Sequence, residues 1–165
     1  MPVTSLLSKA VEAMLNEAVH AELYASNLYK HVSNQLQRVG YFGAQKHFAS
    51  ASAEELTHYQ KLADFLNDRG TTAKIPTIEA MTEKVATLRD ALELAYETEL
   101  DLGRDYDGWY KTAAAEDPTT AQFLLFYLEE QRTSVGRYGD LLARLDRAGD
   151  NEAALLMIDN ELGEG

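Results

Sequence analysis

Residues 53–70, AEELTHYQKLADFLNDRG, decide how this chain is read. Apolar side chains recur three and four residues apart through Leu62 and Phe65, and back through Ala51 and Phe48. That is the spacing of a helix buried along one face. Glu55 and His58 fall on the same line, three residues apart and so side by side on the helix. Gly70 closes the stretch, as glycine does at helix ends. An acid and an imidazole inside an apolar stripe call for a partner, because an isolated buried carboxylate costs several kcal/mol.

Outward from this segment the pattern repeats. The spacing predicts helices over 5–37, 43–68, 82–115 and 118–147, with a shorter fifth over 152–162. Thr4 or Ser5 is the expected cap of the first, Gly40 and Gly149 follow the first and fourth, and Pro118 opens the fourth. Strand-like alternation and internal repeats are lacking. The 165 residues, 45% hydrophobic and 25% charged, suit one domain spanning 1–165. Proline occurs only at 2, 76 and 118, which permits long helices.

A net charge of −12 argues against nucleic acid and anionic membrane surfaces as partners. Cysteine is absent, which removes disulfides, thiolate ligands and a cysteine nucleophile. With no signal peptide or membrane span visible at MPVTSLLSKAVEAML, the expectation is a cytoplasmic protein.

The connections set the topology. Those around Gly40 and around Asp117–Pro118 are short, so the helices they join are antiparallel neighbours. The middle connection, RGTTAKIPTIEAMT (69–82), can extend ~40 Å, which equals the length of a helix of ~27 residues. It can therefore return along the whole bundle and leave helices two and three parallel. The expected fold is all-α, a four-helix bundle with one long crossover and a short fifth helix.

Each predicted helix has an apolar seam interrupted near its middle. The first seam runs Leu15, Ala18, Glu22, Ala25, Tyr29, Val32, Leu36, and the second adds Glu55 and His58. The third runs from Val85 through Ala95, Glu99, Leu102, Tyr106 and Trp109. The fourth runs Leu124, Leu128, Gln131, Val135, Tyr138, Leu142, Leu145. Singly, a seam glutamate is most often a helix-end residue. Four helices interrupted at one depth, with no Lys or Arg on any seam, point to cations held between carboxylates. Oxygen-rich ligation with one imidazole suits iron, manganese or zinc. Glu17-Ala-Val-His20 also fits Glu-x-x-His but lies off the seam and reads as surface. His20, His31 and His47 read as surface or interface residues, Trp109 and Tyr106 as core, and Met14, Met81 and Met157 as packing residues.

At these residues the sequence resembles non-haem ferritins of the H-chain or bacterial type. The resemblance covers essentially the whole chain, through AELYASNLY (21–29), the quoted 53–70 segment, AYETEL (95–100), FYLEEQ (126–131) and LLMIDNEL (155–162). It implies the ferritin-like bundle and a ferroxidase function: Fe(II) oxidised by dioxygen or peroxide at a di-iron centre, with ferric mineral stored inside a cage. It further implies two iron ions per subunit. Glu22 corresponds to the first-helix ligand, Glu55 to the carboxylate between the irons, His58 to the imidazole on the first iron and Glu99 to the ligand of the second. Gln131 corresponds to the glutamine beside the second iron. Tyr29, seven residues after Glu22, corresponds to the tyrosine next to the centre, as hydrogen-bond donor, electron donor or core residue.

The departures carry expectations too. Ser134 stands where some bacterial ferritins have a further glutamate, so the second iron is held more weakly. Glu54 and Glu130 match acids of an outer iron site, whose next acid is replaced by Thr133. Leu56 and Glu130-Gln-Arg-Thr133 replace the haem-binding methionine and second Glu-x-x-His of bacterioferritins, so no haem is expected. Ala121 and Leu124 stand where animal ferritins line a three-fold channel with acids. The family's assembly implies a homo-oligomeric octahedral 24-mer with the fifth helix near the four-fold axis; alone, its patch Leu155–Ile158 equally allows folding back on the same subunit. Two alternatives compete: a non-catalytic storage chain, and a Dps-like mini-ferritin, which lacks a fifth helix and binds metal between subunits.

Overall fold

The computed structural model describes residues 3–165, so Pro2 lies outside it. Five helices follow in order: α1 (Lys9–Arg38), α2 (Phe42–Asp68), α3 (Leu88–Glu116), α4 (Pro118–Ala148) and α5 (Glu152–Glu164). The described residues contain no strand, and no helix is long and apolar enough to cross a membrane.

Capping chemistry sets the helix starts. α1 begins at Lys9, later than expected, because Ser8 is extended and its hydroxyl accepts the Val11 N–H; Thr4 and Ser5 are not the cap. α3 begins six residues later than the spacing predicts. Thr87 and Asp90 form a reciprocal capping box, and Val85, though buried, belongs to the preceding extended segment. Asp117 and Asn151 cap α4 and α5 with their side chains.

α2 lacks a cap from its own turn: Tyr41 offers none. Asp159 of α5 supplies it, accepting from the Gly43 and Ala44 N–H groups at 3.2 and 2.7 Å. The approach is close, since a Cβ on Gly43 would lie 1.8 Å from the Asp159 carbonyl oxygen. α5 thus folds back on its own subunit, burying Ile158, Asp159 and Leu162 and pairing Glu161 with Arg144. Leu156 and Met157 stay exposed, so Met157 is not a packing residue within the subunit.

α1 packs along α2, and α3 along α4. The crossover lies along α1 and is tied to both its ends. The Lys74 N–H reaches Asn16 near the start, and the Val85 N–H and Glu83 carbonyl bond Gln35 near the finish. It therefore returns the length of the bundle and leaves α2 and α3 parallel. His31 is pinned to the same segment through the Glu83 carbonyl.

The core has two apolar halves. One gathers Leu15, Leu62, Leu66, Leu102, Tyr106 and Tyr127; the other gathers Tyr29, Phe48, Leu92, Tyr138, Leu145 and Ile158. On every long helix the residues separating the halves are polar: Glu22, Glu55 with His58, Glu99, and Gln131. Several expectations need correction. His47 is buried, with Nε2 2.9 Å from the Tyr138 hydroxyl, rather than at the surface. Trp109 is only half-buried. On α4 the buried line passes through Tyr127, while Leu128 and Val135 are half-buried. Leu124 is wholly inside its own subunit's core, where it cannot line a channel between subunits.

Candidate metal centre

The polar layer is held by its helices before any ligand is considered. Ser26 and Ser52, one turn beyond Glu22 and one before Glu55, exchange hydroxyl-to-carbonyl bonds of 2.8 Å in both directions. This locks the facing turns of α1 and α2. The Tyr127 hydroxyl donates to the His58 carbonyl at 2.6 Å and ties α4 to the same level.

Glu22, Glu55, His58, Glu99 and Gln131 are each at most 6% exposed, and no Lys or Arg is buried among the described residues. Ligand atoms of Glu22, Glu55 and His58 all lie within 4.8 Å of one another. His58 Nδ1 is 2.8 Å from Glu55 Oε2 and 3.7 Å from Glu22 Oε2. Glu99 is not part of that trio. Its Oε1 accepts from the Tyr29 hydroxyl, and its Oε2 from Gln131 Nε2 at 2.6 Å. On the far side, His58 Nε2 is 3.7 Å from Glu130 Oε2, and Glu54 joins these two in a second potential ligand group. Glu54 is exposed and Glu130 half-buried, so this group is an outer one. The Thr133 hydroxyl points back to the Glu129 carbonyl.

The electrostatics of this layer are unresolved by protein alone. Burial, reinforced by Glu22, pushes the Glu55 carboxyl well up. Burial and the Glu55 charge push Glu99 up to about 7. Burial also acts to lower the His58 pKa, but the nearby Glu22 carboxylate and the bond to Glu55 outweigh it and hold the ring protonated. Glu22 Oε2 is buried without a hydrogen-bond partner. A buried oxygen in that condition costs about 1–3 kcal/mol. Divalent cations would satisfy the orphaned oxygen and let Glu55 and Glu99 ionise, so the donor set fits a metal pair.

Two tyrosines that the sequence reading leaves outside the site, Tyr106 as a core residue and Tyr127 without a role, serve the layer. Tyr106, fully buried, donates to Glu22 Oε1. Tyr127 was off the expected seam altogether. The Tyr106 contact mirrors that of Tyr29. Tyr29 follows Glu22 by seven residues and reaches Glu99 on α3, while Tyr106 follows Glu99 by seven and reaches Glu22 on α1. That repeated seven-residue spacing was a signal available in the sequence.

A cavity of about 160 Å³ opens beside the layer, lined by His47, Glu54, Glu55, His58, Ser134 and Arg137. Burial and then Arg137 lower the His47 pKa to about 4, so its ring is neutral there. A separate groove of about 410 Å³ lies over α1 and α3 and touches none of the five central residues.

Residues 12–148 match the family model described as a ferritin-like domain. The chain belongs to the ferritin family. Its relatives place it on the non-haem branch. It is 33% identical over 159 residues to a probable bacterial non-heme ferritin-like protein of Haemophilus influenzae, covering 96% of each chain. It is 30% identical over 160 residues to a bacterial non-heme ferritin of Bacteroides fragilis, covering 96% of this chain and 99% of that one. Its fold superposes on an open pore ferritin of Archaeoglobus fulgidus with a TM-score of 0.92 at 27% identity, over 95% and 97% of the two chains. Ferritin membership and this fold support a role in iron storage, with acids and an imidazole grouped where they could hold a metal ion.

Proposed function

We propose that this ferritin chain is a ferroxidase: it binds two Fe(II) in its own four-helix bundle, oxidises them with dioxygen or peroxide, and passes ferric ion to a mineral stored in a cage. The observation that carries this reading is the buried layer of three carboxylates and one imidazole, free of Lys and Arg, with Glu22 Oε2 orphaned.

In this reading Glu22 and His58 hold one iron, Glu99 holds the other with Gln131 beside it, and Glu55 lies between. Carboxylates favour the harder Fe(III) and so favour oxidation, while the helices fix the metal spacing and limit water. Tyr29 steadies Glu99 through its hydroxyl, and burial with the Glu99 charge holds that phenol far above its ordinary pKa, so it remains a donor. Glu54 and Glu130 sit beside His58 as ligands for an outgoing ion. Copies assemble as a homo-oligomeric octahedral 24-mer in the cytoplasm, with the fully folded α5 at the four-fold axis.

A ligand layer complete within one chain speaks against a Dps-like arrangement, where sites form between subunits. The presence of all four of Glu22, Glu55, His58 and Glu99 speaks against a non-catalytic storage chain. Oxygen-electrode traces after Fe(II) addition test the proposal. Rapid dioxygen uptake is expected in wild type and a loss of at least tenfold in Glu55→Ala. Equal uptake in both would leave only a storage role.

A further inference from the structure

The two tyrosines that grip the metal layer differ in what lies behind them. Behind Tyr29 stands Phe48, at 5.7 Å between ring centres, and then Tyr138, stacked on Phe48 at 6.2 Å. Phenylalanine is very hard to oxidise, so that line of rings is interrupted. Behind Tyr106 stands Trp109, edge-on at 4.9 Å, with Tyr127 stacked on the other side at 4.8 Å. Trp109 reaches the surface, half-exposed. Both rings of this second line carry an acceptor for the proton they shed on oxidation. The Tyr106 hydroxyl donates to Glu22 Oε1, and Trp109 Nε1 donates to the exposed Glu17 at 3.2 Å. A tyrosine and a tryptophan in van der Waals contact, each bonded to a carboxylate, one buried at the metal layer and one at the surface, make a path for single electrons.

We propose that Tyr106 and Trp109 form a one-electron relay between the metal layer and the protein surface. The relay rests on the ferroxidase reading and extends it to the fate of dioxygen. Two Fe(II) in the layer supply two electrons, whereas reducing dioxygen to two waters takes four. Tyr106 supplies a further electron as its O–H bond breaks and the proton passes to Glu22. Trp109 then reduces Tyr106, which recovers its proton from Glu22, and the indole proton passes to Glu17. A Fe(II) ion in solution returns an electron to Trp109, becoming Fe(III), and the indole regains its proton from Glu17. Two passes complete the reaction: four Fe(II), one dioxygen and four solvent protons give four Fe(III) and two waters.

The test uses Tyr106→Phe and Trp109→Phe, which keep a ring in place, and Tyr110→Phe as a control outside the line. Anaerobic titration is expected to give equal Fe(II) binding in wild type, Trp109→Phe and Tyr110→Phe, and it sets the iron load at which Tyr106→Phe, which loses a donor to the ligand Glu22, is compared. With Fe(II) in excess of the layer's capacity, wild type and Tyr110→Phe consume four Fe(II) per dioxygen, and the two relay variants fall twofold to two, with hydrogen peroxide accounting for the rest. A second readout needs no iron. Flash oxidation of the metal-free protein by a photosensitised ruthenium oxidant yields a tyrosine radical that decays into a tryptophan radical in wild type and persists on tyrosine in Trp109→Phe. Identical stoichiometry in wild type and both relay variants, or two Fe(II) per dioxygen in wild type itself, overturns the relay while leaving the ferroxidase reading standing. A wild-type chain that consumes no dioxygen overturns both.

Discussion

Replacing Glu99 by glutamine should make the metal-free protein more stable at pH 8 while weakening metal binding on the Glu99 side of the layer. Burial and Glu55 raise the Glu99 carboxyl from 4.5 to about 7. Between those pH values the folded chain keeps a proton that the unfolded chain has lost. Stability of the metal-free protein therefore falls as pH rises through this window and is flat above it. The shift corresponds to a penalty of about 3 kcal/mol at pH 8 and under about 1 kcal/mol at pH 5. The glutamine amide carries no charge, but it offers one acceptor oxygen where Tyr29 and Gln131 now bond two, which costs about 1 kcal/mol. The variant should gain about 2 kcal/mol at pH 8, or about 4–8 °C in melting temperature, and almost nothing at pH 5. The assay is thermal unfolding of chelator-stripped protein at both pH values. Added Zn(II) should then raise the wild-type melting temperature by more than the variant's, which keeps only the group formed by Glu22, Glu55 and His58. Equal shifts at the two pH values, or a variant less stable at pH 8, would refute the claim that the carboxylate is held charged at a cost.

Three further outcomes follow from the same geometry. Because burial raises both Glu55 and Glu99, and His58 is held protonated with its pKa raised to about 10, metal binding must expel protons, so affinity for a divalent ion rises with pH up to about 10; calorimetry in buffers of different ionisation enthalpy measures the release. Asp159→Ala leaves the Gly43 and Ala44 N–H groups without their acceptor, at about 1–2 kcal/mol in the denaturant midpoint of the fold. Gly43→Ala puts a methyl group into the Asp159 backbone, at a cost of about 1–3 kcal/mol, and hydrogen exchange should rise selectively over residues 152–164.

The bundle was legible because three- and four-residue spacing survives around the interruptions. Glu22, Glu55, His58, Glu99 and Gln131 were found as polar residues on apolar lines, and burial of all five follows from those lines. The misses share a cause. Val85 continues the helical spacing of α3 and is buried, yet Thr87 and Asp90 cap the helix beyond it, so periodicity outran a visible capping box. Tyr127 and Leu128 are adjacent apolar residues, and spacing alone cannot choose between them. His47 is next to the seam residue Phe48, and only the Tyr138 hydroxyl from α4 offsets the cost of its burial. The cap on α2 comes from Asp159, 116 residues beyond Gly43, a partner that no local pattern specifies. The reach of Tyr106 to Glu22 likewise depends on how α1 and α3 face one another.

The most direct test is diffraction at the iron absorption edge from crystals soaked anaerobically in Fe(II), for wild type and Glu55→Ala. Two anomalous peaks per subunit are expected in wild type, one among Glu22, Glu55 and His58 and one beside Glu99 and Gln131, with at least one lost in the variant. Peaks confined to the protein surface, or an unchanged pair in Glu55→Ala, would contradict the assignment of this layer as the iron centre.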